Sequence, residues 1–536
     1  RLEPAHDIGI VHQREDGRLV FEHALTRDAV IAAASPARVA RVHARIAHAL
    51  DSVPRGSLAP AERAFDLAHH WLAAGPVHAP RAWRAAAAAA VEARRDFANV
   101  EAAELYRQAL GAHALDPAGT REERYELLLS FSEAAAWAGR WRPVVEAVVE
   151  AVALARADDD PERVARAAAE LTRFSVWLPQ EHEEVDEDLV DDLRAVLRGL
   201  DHHDSRVRCV LMLALAVQLY YGPGAEPEIE ALVDEGTAVA RRLGDPALRG
   251  WAARSGWLAL WRSAALERRH ALAVEELAAA CESGDEAAQA LGHVARAGTA
   301  LEEGDLETGL AEAAAAEAIA RRRRMVYVEF VLHFVRLNLA LLEGADGAAR
   351  AHTDAMRTMS DGMATPSMEW TDFGVSYVTA TWRPEVAHQV AQGMFEFYGA
   401  NPSEIGQAPL LHVLALVGRE DDVRAELAVR PLAPLTDSWS LTADAGVRAV
   451  VAALLGDVAL ARSVVELLRP ATGRMGVSGI SVVSGPVDGY LALALAVVGE
   501  REEAGALAER AEALATRWGM TAYLRWLAER RAHLGF

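Results

Sequence analysis

Gly456-Asp-Val-Ala-Leu-Ala461 and Gly499-Glu-Arg-Glu-Glu-Ala504 share one device, a turn glycine five residues ahead of a small alanine, and each opens a helical hairpin. Between them runs Gly473-Arg-Met-Gly-Val-Ser-Gly-Ile-Ser-Val-Val-Ser-Gly-Pro486. A glycine costs about 1 kcal/mol and a proline about 3 kcal/mol inside a helix, so residues 473–485 must interrupt the helical pattern. Three readings fit the interruption: a flexible connection, a lid over a groove, or a contact surface for another module. Ile480, Val482 and Val483 argue against free solvation and favour a packed loop.

Turn-then-small pairs of the same kind recur at Gly304/Gly309 and Gly344/Ala349. From residue 61 onward the pattern is helix, short turn, helix. Asp158-Asp-Asp-Pro161 and Gly244-Asp-Pro246 supply the cap-plus-proline starts of further helices. Ala102, Tyr106 and Ala109-Leu110 fit the second helix of a tetratricopeptide repeat, where small residues let two helices approach closely. The spacings from Gly304 to Gly344 and from Gly456 to Gly499 exceed the usual repeat of ~34 residues, so the units are long and degenerate. The expected fold is all-α, a tetratricopeptide-like α-solenoid built as a right-handed superhelix of helical hairpins. A chain of 536 residues suits such an array better than one compact core.

The first fifty residues read differently. Ile8-Gly-Ile-Val-His-Gln-Arg-Glu-Asp-Gly-Arg-Leu-Val-Phe21 alternates and turns at Asp16-Gly17, which predicts a two-stranded hairpin. Helices are expected over residues 23–33 and 36–50, with Ser35 as N-cap and Pro36 at the first helical position. Hairpin plus helices is how a winged-helix module ends. The expected division is therefore 1–50 for that module, 51–60 for a linker rich in proline and serine, and 61–536 for the repeats. Arg1 stands where an initiator methionine is expected, which suggests that further protein precedes it.

Composition narrows the function. All 55 basic residues are arginine, which excludes Schiff-base lysine chemistry and a phosphate-loop lysine, and no Gly-x-x-x-x-Gly-Lys-Ser/Thr occurs. The chain is not expected to be an enzyme. A formal charge of −23 repels phosphate backbones, so DNA is expected only through a domain that this chain lacks. Cys209 and Cys281 lie in helical patterns and read as reduced, buried residues, in keeping with a cytoplasmic protein and no membrane span.

Phe21-Glu-His-Ala-Leu-Thr-Arg-Asp-Ala-Val30, Arg38-Val-Ala-Arg-Val-His-Ala-Arg-Ile-Ala-His-Ala-Leu50 and Leu67-Ala-His-His70 resemble a junction in bacterial signal-transduction NTPase regulators. These include the large ATP-binding regulators of the LuxR family and the multidomain antibiotic regulatory proteins of actinomycetes. Leu468-Arg-Pro-Ala-Thr-Gly-Arg474, Val487-Asp-Gly-Tyr-Leu491 and Gly519-Met-Thr-Ala-Tyr523 resemble their last repeats, while residues 193–409 match only in architecture. The resemblance implies an upstream NTPase module that carries ATP or ADP, no cofactor in this chain, and a repeat domain that senses a small effector or a protein partner. It also implies a nucleotide-sensing role for His23, which sits in the matching Phe-x-His-x-Leu; a packing or capping histidine is the plainer reading. A passive protein-protein scaffold and the regulatory repeats of a nucleotide-cyclase-type enzyme are the alternatives.

Candidate groove residues come from three helices. Glu329, His333 and Arg336 share one face of the apolar helix 325–342, as a ligand-facing stripe or as a polar tie between repeats. Trp370, Phe373 and Tyr377 stack at i, i+3 and i+7 on the helix 368–382, and Trp257 and Trp261 form an i, i+4 pair. Such stripes usually serve a core. Four aromatic residues over 369–382, in a chain only 6% aromatic, raise the reading as a pocket wall beside that one. His69-His70 and Asp201-His-His-Asp204 contain metal-ligand types, but adjacent side chains on a helix diverge by about 100°, so no metal is expected.

Overall fold

The computed structural model describes residues 6, 8, 10–13, 19–54, 59–360, 363 and 369–536. The chain divides into two compact units, Arg1–Ala134 and Ala135–Phe536.

In the first unit, β1 (Val11–Gln13) pairs antiparallel with β2 (Leu19–Phe21), in the register Val11↔Phe21 and Gln13↔Leu19. The Asp16-Gly17 turn lies outside the described residues. Helices follow at Ala24–Ala32 and Pro36–Ser52, the second entered through Ser35 with Pro36 in its first turn. Helix Pro36–Ser52 buries Ala44 and Ala47 against Trp71 of helix Pro60–Ala73 and Ala82 of helix Ala79–Arg95. Helix Asn99–His113 then presents Ala102, Tyr106 and Ala109, all buried, as expected of a tetratricopeptide second helix.

The second unit is an all-α solenoid of antiparallel helical hairpins. Its most regular stretch contains helices Glu286–Glu303, Leu306–Arg323, Val326–Glu343 and Asp346–Ser360, whose first residues fall 20 apart. Two such helices with their turns make the 40-residue spacing seen between Gly304 and Gly344, both left-handed helix caps. Starts are fixed locally: Asp160 and Asp245 accept hydrogen bonds from Arg163 N and Ala247 N (3.0 Å each), ahead of Pro161 and Pro246. Facing surfaces are lined largely by alanine, which brings helix backbones close.

Residues 473–485 are not an irregular loop. They form most of a β-hairpin, β3 (Met475–Ser478) with β4 (Val482–Pro486), offset by a bulge between Gly476 and Val477. The hairpin is packed inside the array. Thr442 Oγ1 bonds both Val477 N (3.0 Å) and Val477 O (3.2 Å), and Asn338 Nδ2 donates to Ser481 O (3.1 Å). Arg474 Nη1 reaches Ser263 O (2.8 Å), and Tyr523 Oη donates to Pro486 O (3.1 Å). Ile480, Val483 and Val477 are buried, as their apolar character requires. Gly476 hides the alternation over Met475–Ser478, so the strand carries no clear signal in the sequence.

Both cysteines are free. Cys209 is buried, and desolvation pushes its thiol up to about 12. Cys281 is exposed, contrary to expectation, because it falls on the outer face of helix Leu266–Ser283 near its end. Among the described residues no helix is long and apolar enough to cross a membrane.

Candidate functional site

The hairpin forms one wall of a cavity of about 210 Å³ inside the second unit, to which Ser478, Ser481, Val482 and Ser484 contribute. Helix Val326–Glu343 supplies Tyr327, Phe330, Val331 and Phe334, and helix Glu369–Trp382 supplies Trp370, Phe373 and Tyr377. Trp177, His182, Tyr221 and Trp439 close the remaining side. Nine aromatic rings thus surround one space, in a chain with 13 Trp, 9 Tyr and 11 Phe. This concentration of apolar wall with a few polar groups is the composition of a small-molecule pocket.

The rings hold one another in edge-on contact. Trp177 lies 4.9 Å from Trp261 and 5.0 Å from Trp439, both at steep angles, and Trp370 meets Phe373 at 5.1 Å. Polar links fix the wall. Trp439 Nε1 donates to Tyr221 Oη (3.0 Å), Trp439 N donates to Tyr220 Oη (3.0 Å), and Tyr220 Oη donates to Trp261 O. At the hairpin tip Gly479 N donates to Trp439 O (2.9 Å), so the tip is tied to the same ring system.

Among the described residues, two ionisable groups other than tyrosine line the cavity. Desolvation pushes His182 down to about 4, which keeps its imidazole neutral near pH 7. Asp444, in the first turn of helix Leu441–Leu455, is pushed up to about 6 by desolvation. Its Ser440 hydrogen bond and the Arg448 charge act the other way. Asp444 is therefore mostly ionised near pH 7. Deeper in the wall Tyr377 Oη is 3.2 Å from His412 Nδ1, and burial pushes His412 down to about 3.

Of the residues expected at a groove, Trp370, Phe373 and Tyr377 are brought together at this cavity. Glu329, His333 and Arg336 are on the same helix as four cavity residues but on its other face. There Arg336 pairs with Glu317, and His333 Nδ1 lies 3.0 Å from His352 Nδ1, tying three successive helices. Trp257 and Trp261 are fully buried: Trp257 sits between the guanidinium groups of Arg254 and Arg269 (5.8 and 5.9 Å), and Trp261 stands behind Trp177. His23 is exposed, just before helix Ala24–Ala32, and its carbonyl accepts from Thr26 N (3.1 Å). Trp177, Tyr221, Trp439 and Asp444 escaped the sequence reading. They come from three separate segments, Trp439 and Asp444 lying together at the start of helix Leu441–Leu455.

In the first unit His43 joins His69 and His70, with one ligand atom from each lying within 4.8 Å of the others. His43 and His70 meet through their Nδ1 atoms at 2.8 Å; burial first, and then the neighbouring His69, lowers both below the usual imidazole range, and His43 lowers His70 further. The site could offer three nitrogen donors to a metal such as Zn²⁺. The adjacent pair alone gave no such signal, because His43 belongs to the preceding helix.

No family model matches the chain, and no curated protein matches it significantly. Among solved structures it is similar to a Signal Transduction ATPase with Numerous Domains (STAND) protein with a tetratricopeptide repeat sensor from Pyrococcus horikoshii, at 14% identity and a TM-score of 0.40. The match covers 80% of this chain and 57% of that one.

Proposed function

We propose that this chain is the sensing region of a multidomain signal-transduction ATPase regulator, and that its ligand is a small organic molecule held in the aromatic cavity. The observation that carries this reading is the cavity itself. A repeat array used only as a protein-docking scaffold has no need of a ring-lined cavity of about 210 Å³. The β-hairpin gives a route from ligand to protein. It forms one wall and bonds to helices far apart in sequence, so a guest that prefers one hairpin position biases all of them.

In the finer form of the proposal the protein is a cytoplasmic transcriptional activator of secondary-metabolite biosynthesis. An NTPase module elsewhere in it would hold ATP or ADP, and a separate domain would contact DNA. The resemblance of residues 21–50 and 67–70 to the regulator junction supports this form, and His23 would then sense the nucleotide state. The direct test is a tryptophan-fluorescence and calorimetric screen of the purified chain against a panel of aromatic and apolar metabolites, with Trp370→Ala as control. Saturable binding that the substitution weakens supports the sensor. Failure of the whole panel, beside tight binding of a protein partner, would replace the sensor with the scaffold.

A further inference from the structure

The chemistry of the wall names a ligand class. Among the described residues Asp444 is the one acidic side chain lining the cavity, and no arginine lines it. The other possible cation there, His182, is neutral near pH 7 for the reason given above. Arg448, one turn beyond Asp444, commits Nη1 to the carbonyl of Ala433 (2.6 Å) and is not part of the wall. The cavity thus presents one carboxylate at the edge of an apolar space whose ring faces carry negative quadrupole potential. A second feature points the same way. Gln180, also on the wall, donates through Nε2 to Val217 O (2.7 Å), which fixes its amide and leaves Oε1 buried with no hydrogen-bond partner. A buried acceptor without a donor carries a desolvation cost that a guest bearing N–H groups can remove.

We propose that the cavity binds an organic cation: an arylalkyl amine whose ammonium meets the Asp444 carboxylate and whose apolar body stacks among Trp370, Phe373 and Trp177. An ammonium gains from both parts of this site, by ion pairing with the carboxylate and by cation–π attraction to the rings. A carboxylate guest would face Asp444 with like charge. A neutral guest would add nothing to the Ser440 hydrogen bond and the Arg448 charge that already act on this desolvated carboxylate. This assignment rests on the sensor reading above, since it identifies the ligand class of that same cavity.

The test uses three probes of nearly equal shape that differ in charge: tryptamine, tryptophol and indole-3-acetate, titrated into the whole chain at pH 7.5 by calorimetry. Tryptamine is expected to bind at least about tenfold more tightly than tryptophol, with indole-3-acetate weakest. Asp444→Asn, which keeps the side-chain shape, is expected to bring tryptamine and tryptophol within about threefold of each other. The comparison in the unsubstituted chain stands even if that variant folds poorly. Saturable binding with no preference, or with tryptophol or indole-3-acetate preferred, overturns the cation assignment and leaves the sensor reading intact. No saturable binding by any of the three, together with none in the metabolite panel, overturns both.

Discussion

Gly479 at the hairpin tip offers the sharpest test of the architecture. Its φ of +61° lies in the left-handed region, and a Cβ built there would come within 2.5 Å of Trp177 Cζ3 and closer still to the ring edge. Gly479→Ala therefore meets two costs. The left-handed conformation costs an alanine about 1–2 kcal/mol. Forcing a methyl into a packed ring system costs about 1–3 kcal/mol more. Gly456 separates the two, since its φ is +65° and nothing lies within 4 Å of its would-be Cβ. Gly456→Ala should lose only the backbone share. In urea titrations followed by far-UV circular dichroism, Gly479→Ala should fall below Gly456→Ala by about 1–3 kcal/mol. It should also shift tryptophan emission, because Trp177 must leave its contacts with Trp261 and Trp439. Equal losses in the two variants with unchanged emission would show that the tip is not seated against Trp177, and the cavity wall would have to be redrawn.

Other expectations follow from buried charge. Arg254 and Glu276 form an ion pair at 2.6 Å, with 3% and 2% of their side chains exposed, so Glu276→Ala strands a guanidinium and should destabilise by about 3–5 kcal/mol. Arg254→Met with Glu276→Leu should recover most of that loss in the same urea assay, whereas an equal loss would mean the pair matters for its shape alone. His182 sits near 4 in the fold against an ordinary 6.5, so the unfolded chain takes up its proton first. Its contribution is full above pH 6.5 and is lost as pH falls toward 4, about 3 kcal/mol across that window; His182→Gln should flatten that part of the stability profile. His43 and His70 should titrate below 6.5 by NMR of their ring protons, and His43→Ala should raise the midpoint of His70 by removing one repelling neighbour. An unmoved midpoint would place the two rings apart in solution.

The helical array was legible from local chemistry, because capping aspartates, prolines and turn glycines act within a few residues of themselves. Asp160-Pro161 and Asp245-Pro246 start helices as expected, and Gly304, Gly344, Gly456 and Gly499 end them. The cavity was legible only where one helix carries several of its residues, as with Trp370, Phe373 and Tyr377. On helix Val326–Glu343 the polar stripe drew attention, yet the apolar face with Tyr327, Phe330 and Phe334 meets the cavity. Nothing in a single helix says which of its faces looks inward. Asp444 carried no local signal either, since an acidic residue in the first turn of a helix is ordinary.

The packed hairpin also bears on how this protein gains its structure. An ordinary repeat array is nearly one-dimensional: each unit contacts its neighbours, and folding can begin anywhere and spread. Here Arg474 closes a loop of 211 residues to Ser263, and Asn338 one of 143 to Ser481. Such closures come late, after the intervening helices have formed, because their entropy must be met before their contacts form. The region from Tyr220 to Tyr523 should therefore melt as a single cooperative block, and removing its final helices would unseat the cavity instead of merely shortening the array.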